Sequence, residues 1–175
     1  LRVPHGFASR IEKGNPQDPL LRQVLPLIDE TYQVSGFSMD PLQEIAANKH
    51  PGLLHKYHGR ALLMPSTACA VHCRYCFRRH FPYEDNQPGR SGLMHAINAI
   101  NADQTITEVI LSGGDPLMMK DTPLIALIDA LEACAHVGTL RIHTRLPVVI
   151  PERMTTTLLD KLNASRLQVV LVLHC

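Results

Sequence analysis

Four short apolar runs, each followed by a polar motif, constrain this chain more than anything else in its sequence. Arg60-Ala61-Leu62-Leu63-Met64-Pro65, Glu108 to Ser112, Thr139 to Thr144 and Gln168 to His174 read as strands. Helical patterns lie between them: Leu93 to Asn101, Pro123 to Ala133, and Met154 to Asn163 with apolar Leu158, Leu159 and Leu162. The last three strand centres are about 30 residues apart, the length of one βα unit. Apolar strands alternating with amphipathic helices predict a parallel α/β sheet, because such strands need both faces covered.

Sheets of this kind place their chemistry in the loops at the carboxyl ends of strands. A cysteine-rich loop follows the first strand, Ser112-Gly113-Gly114-Asp115-Pro116 the second, and Thr144-Arg145-Leu146-Pro147 the third, while His174 closes the fourth. The loop carries Cys69, Cys73 and Cys76 within eight residues. Thiolates are soft ligands that suit iron–sulfur clusters, zinc or copper(I). A cubane of four irons needs one ligand per iron, so three thiolates leave one iron open for chemistry. A closed zinc site wants four ligands, usually as two separated pairs, and Cys134 and Cys175 are distant in sequence. His72 could be a fourth, although its adjacency to Cys73 makes chelation by both awkward. A zinc-binding interaction module is therefore the non-enzymatic alternative. Five cysteines, an odd number, fit a disulfide framework poorly.

At 175 residues and 45% hydrophobic, the chain can bury one sizeable core. Seventeen basic against sixteen acidic residues leave a formal charge of +1, which gives no global footprint for nucleic acid or an anionic membrane. No apolar run is long enough to span a bilayer. A reducing cytoplasm, which keeps thiols available, is the expected compartment. The chain opens on Leu1 and stops inside an apolar strand at Cys175, so an internal piece of a longer protein is expected. Residues 1–58 are expected to form a helical N-terminal extension broken by prolines, with a helix starting at Asp40-Pro41 and supported by Gln43. Residues 59–175 would form the α/β part.

Cysteines spaced four and three positions apart after a first strand, with Gly-Gly-Asp-Pro after the second, resemble the radical S-adenosylmethionine superfamily. The segment Leu53-Leu54-His55-Lys56-Tyr57-His58-Gly59-Arg60, leading into Cys69 to Pro82, resembles the lysine 2,3-aminomutase family more narrowly. Within that family it is most similar to the branch that supplies (R)-β-lysine for modifying translation elongation factor P. The similarity runs from Arg2-Val3-Pro4 through Arg145 to Pro151. It implies a partial (β/α) barrel, of which this chain would hold the extension and the first four strands. It also implies a [4Fe–4S] cluster, S-adenosylmethionine, pyridoxal phosphate, lysine as substrate, a reductase or flavodoxin-type electron donor, and a functional link to elongation factor P and its ligase.

The resemblance assigns roles residue by residue. Cys69, Cys73 and Cys76 would hold three irons. Tyr75, Ser112, Gly113, Gly114, Asp115, Thr144 and His174 would contact S-adenosylmethionine, with Tyr75 along the adenine and Asp115 or a nearby carbonyl accepting from the ammonium group. Many radical enzymes have Glu where Asp115 stands, and the aminomutase branch commonly has Asp. Arg78 would grip the substrate carboxylate, whereas Arg74 and Arg79 would be cations of the surface or of the cluster's surroundings. Tyr57 and Arg60 would meet the pyridoxal phosphate group, with Lys56 nearby, and Arg145 would line the barrel mouth. The family's lysine that binds pyridoxal phosphate would lie beyond Cys175, so this fragment alone is expected to be inactive. Taken one at a time, these residues also have plain readings: a strand-to-helix turn, a core aromatic or a solvated basic turn. A radical enzyme without pyridoxal phosphate, such as an activase or methylthiotransferase, and a glutamate 2,3-aminomutase are the alternatives within the superfamily.

Overall fold

Among the described residues, six strands form one sheet in chain order: β1 (Asn48–His50), β2 (Leu53–Tyr57), β3 (Arg60–Ser66), β4 (Glu108–Gly113), β5 (Thr139–Thr144) and β6 (Gln168–Leu173). The structure, a computed structural model, describes residues 1–44, 48–50, 52–83 and 88–175. The pairings β1–β2 and β2–β3 are antiparallel, and the three that follow are parallel. The four strands expected from the apolar runs are β3 to β6, joined in parallel as the intervening helices require.

One face of the parallel strands carries the core. Ala61, Leu63, Val109, Leu111, Leu140 and Ile142 alternate onto it. Helices α2 (Gly89–Ala102), α3 (Asp121–Glu132) and α5 (Thr156–Ala164) cover it with Ile97, Ile100, Leu124, Ile128, Leu131 and Leu158, while α4 (Leu146–Val149) is a single turn after β5. Among the described residues, the expectation that helices cover both faces holds for this face alone. The other face presents the alternate residues, and three of them form a charged row: Arg141 and Arg60 both pair with Glu108, at 2.8 and 3.4 Å. Arg141 and His143, two apart on β5, and Glu108 on β4 mark a face that no helix covers among the described residues.

The N-terminal segment departs from its expected character. Among its described residues, regular helix is α1 (His5–Ala8) and Glu44, with short 3-10 turns at Leu21–Gln23 and Ile28–Thr31. Residues 53–57 are a strand rather than part of a helical extension. His58-Gly59 closes a tight hairpin with Gly59 at φ +77°, which sets Tyr57 opposite Arg60. Of the helix expected from Asp40, residues 45–47 lie outside the described residues. The Asp40 Oδ1 does accept from the Glu44 main-chain N at 2.9 Å, and Gln43 turns through φ +53°. A second core of Phe7, Val24, Val71 and Val149 packs this segment against the cysteine loop. Main-chain bonds lace the two together, His72 N to Arg2 O at 2.9 Å and Arg74 N to Gln23 O at 2.7 Å.

Asp121, which opens α3, accepts from Arg153 Nη1 and from the hydroxyl of Thr155, the α5 cap, both at 2.6 Å. The Thr155 hydrogen bond, and then Arg153, hold the Asp121 carboxyl below its ordinary value of 3.8. A carboxyl depressed in the folded state stabilises the fold above its unfolded pKa, and that contribution is lost as pH falls below it. Asp121→Asn is therefore expected to unfold in less urea than the native protein at neutral pH. The gap should close as pH falls through and below 3.8; a gap independent of pH would contradict this.

Candidate active site

The cysteine loop leaves the carboxyl end of β3. Cys69 and Cys73 are half-buried and Cys76 is exposed, and all three line one cavity of about 390 Å³ together with Thr67, Arg78 and Tyr83. Burial, reinforced by Asp115 and the other two thiols, pushes the Cys69 thiol up to about 11. A metal that binds there must displace its proton. Among the described residues, no three His, Cys, Asp or Glu side chains converge on one ion-sized point. A single zinc would need its sulfurs about 2.3 Å from one centre. Three thiols spread around one cavity fit a cluster that takes one thiolate per iron.

The Gly-Gly turn lies directly under this loop. Gly114 N donates to Ser66 O at 3.0 Å and Asp115 N to Ala68 O at 2.8 Å. A Cβ on Gly114 would stand 2.5 Å from Ala68 O, and Gly113 has φ +106°. The glycines are thus required by the cysteine loop's own backbone, whatever else approaches them. Gly114→Ala is expected to cost about 2 kcal/mol or more through displaced backbone, read by chemical denaturation. A change within 0.5 kcal/mol, about the scatter of a surface substitution, would contradict the close contact.

Asp115 is buried, and four donors saturate its carboxylate. Oδ1 accepts from Thr144 Oγ1 at 2.7 Å and Leu117 N at 3.0 Å; Oδ2 accepts from Arg145 N at 2.8 Å and Leu146 N at 3.1 Å. It ties the carboxyl end of β4 to that of β5, and Thr144 belongs to this tie. Main-chain carbonyls are therefore the freer acceptors here, although Gly113 O already accepts from Tyr83 Oη at 2.7 Å.

Arg78 is also buried, 6% exposed, and its fork is engaged. Nε and Nη2 donate to the two oxygens of Glu44 at 2.7 and 2.8 Å, and Nη1 donates to Ser112 Oγ at 2.9 Å. A guanidinium has five N–H donors, and Glu44 takes the side edge, so two remain for a ligand. Arg74 and Arg79 are occupied differently, both pairing with Glu30 of the N-terminal segment. Tyr75 is half-exposed and accepts from Arg145 Nη1 at 2.6 Å. His174 stands beside His143, ring centroids 6.0 Å apart, at the end of β6.

Tyr57 and Arg60 are not brought to the thiols. They flank the hairpin at the amino end of β3, six residue steps or about 20 Å from its carboxyl end. Both are more than half exposed, and Lys56 bonds Leu42 O.

A family profile described as a 4Fe-4S single cluster domain matches residues 58–144, the segment that contains the cysteine loop, the Gly-Gly turn and β5. Along 99% of its length the chain is 54% identical to the L-lysine 2,3-aminomutase of Escherichia coli (strain K12), of which it covers 51%. The L-lysine 2,3-aminomutase of Haemophilus influenzae matches equally, at 54% identity with 52% covered. Along nearly its whole length the chain is similar to L-lysine 2,3-aminomutases. The enzyme of that name from Clostridium subterminale is 35% identical over 158 residues, 38% of its length. The chain thus spans about half the length of the first relatives it matches.

Several residues that shape the site carry no motif of their own. Glu44 reads as an ordinary acid near a helix start, and Tyr83 and Gln23 have no distinguishing context. His143, with its buried Nε2 unpartnered, is signalled only by its alternation with Ile142 and Thr144 along β5. No helix among the described residues is long and apolar enough to cross a membrane.

Proposed function

We propose that the full-length protein is a lysine 2,3-aminomutase that converts (S)-α-lysine to (R)-β-lysine for β-lysylation of translation elongation factor P. It would work in the cytoplasm with a flavodoxin-type or other reductase as electron donor. The observation that carries the reading is the meeting of three thiols around one cavity with a buried arginine fork at the carboxyl ends of parallel strands. Similarity over 99% of the chain to two L-lysine 2,3-aminomutases supports the substrate class.

Cys69, Cys73 and Cys76 would hold three irons of a [4Fe–4S] cluster and leave the fourth for S-adenosylmethionine. The cluster and S-adenosylmethionine together supply a carbon-centred radical able to abstract hydrogen from an unactivated carbon. The chain's own part is placement. Asp115 and Thr144 lock the strand ends beneath the cavity, and Gly113 and Gly114 let the cysteine loop lie close on the turn. Tyr75, held by Arg145, Ser112, held by Arg78, and His174 after β6 would contact S-adenosylmethionine. Arg78, aimed by Glu44, offers two N–H groups to the lysine carboxylate, a pairing that a planar fork makes and an ammonium cannot.

Dependence on pyridoxal phosphate rests on the family resemblance of Tyr57 and Arg60. The described residues do not assemble a site for it. The full-length protein, reconstituted and reduced without oxygen, is to be incubated with S-adenosylmethionine and either lysine or glutamate. β-Lysine from lysine is the expected product. β-Glutamate alone would move the substrate to the acidic amino acid, and turnover of neither with no pyridoxal phosphate retained would point to a different radical enzyme.

A further inference from the structure

Arg145 follows the last residue of β5 and is 5% exposed. Its guanidinium forms no ion pair among the described residues. Its partners are neutral groups: Cys73 Sγ at 3.0 Å, Tyr75 Oη at 2.6 Å and the side-chain oxygen of Gln23. The rings of Phe7 and Tyr75 lie 5.6 and 5.5 Å from its carbon, and its Nε is buried with no acceptor. The buried carboxylate of Asp115 meets Arg145 only through the main-chain N–H. A buried cation normally pairs with an anion, because burying it unpaired is costly. The anion that this geometry offers is sulfur: Cys73 as thiolate, on the cavity shared with Cys69 and Cys76.

Given the cluster reading above, on which this rests, we infer that Arg145 is the built-in counter-cation of the iron–sulfur cluster and raises its reduction potential by donating to Cys73 Sγ. Reduction adds one electron to the cluster and neither makes nor breaks a bond to Arg145, so the arginine acts on energy alone. A fixed positive charge and an N–H···S bond both favour the state with the extra electron. Gln23 and Phe7 hold the same guanidinium from the N-terminal segment, so the docking of that segment fixes the arginine against the sulfur. Arg145 is a positioning and tuning residue in this scheme, with no contact to substrate required.

The test is a reductive titration of the reconstituted full-length protein, with dithionite as electron source and electron paramagnetic resonance as readout. Arg145→Met removes charge and hydrogen bond together, and its cluster midpoint is expected to fall below that of the native protein. Arg145→Lys keeps the charge but cannot reach sulfur, Tyr75 and Gln23 at once, and is expected to fall less. Should the Met variant fail to fold, the Lys variant carries the comparison. Native midpoints in the variants that take up the cluster would overturn the inference while leaving the cluster reading intact. A native protein that takes up no iron and sulfide would overturn the cluster reading itself, and this inference with it.

Discussion

Asp115→Ala is expected to cost about 3 kcal/mol or more in unfolding free energy, since each buried group left unsatisfied costs about 1–3 kcal/mol. Leu117 N and Arg145 N lose their side-chain acceptor outright, whereas Leu146 N keeps a second one in Thr144 Oγ1 at 3.1 Å. Asp115→Asn should cost nearly as much despite its matched shape. Both carboxylate oxygens accept from two donors, so an amide NH2 placed at either one faces donors it cannot satisfy. Urea denaturation of each variant checks this. If Asp115 acted instead as a free acceptor for the ammonium of S-adenosylmethionine, its variants would lose S-adenosylmethionine affinity and keep native stability, which contradicts the account.

The second large effect concerns Arg78 and Glu44. Arg78→Met leaves a buried carboxylate without its partner, which typically costs about 3–5 kcal/mol. Pairing it with Glu44→Leu should recover much of that loss, because replacing both members of a buried ion pair is far milder than removing one. The two single variants and the double variant form a cycle from which the coupling is read. On the proposed reading, Glu44→Gln should raise the KM for lysine with kcat largely kept, since it loosens the fork without removing it. A lowered KM would reverse the assignment and make Glu44 a competitor that occupies the place of the substrate carboxylate.

These two side chains also show where the sequence stops being legible. Strands β3 to β6 were readable because each is a run of apolar residues with a helix after it, and the cysteine loop because its spacing is local. Strand β2 was not, since Leu53-Leu54 is too short a run to display a period. The same limit applies to side-chain pairings across the fold. Arg78 meets Glu44 34 positions away, and Arg145 meets Gln23 122 positions away. Neither pairing has a local signature, because each depends on how the N-terminal segment folds back over the loop. The position of Asp115 after a strand was readable, but its saturation by four donors required the end of β5 in place. Tyr57 and Arg60 were close to each other in sequence and in space, yet the direction of β3 carries them away from the thiols.

The central claim is that Cys69, Cys73 and Cys76 hold an iron–sulfur cluster with one open iron. Anaerobic reconstitution of the full-length protein with ferrous iron and sulfide, followed by metal and sulfide analysis, tests it most directly. The account predicts about four irons and four sulfides per chain, lost on Cys69→Ser, with a resonance signal of the reduced cluster that changes when S-adenosylmethionine is added. One tightly held zinc per chain, with no acid-labile sulfide, would contradict it.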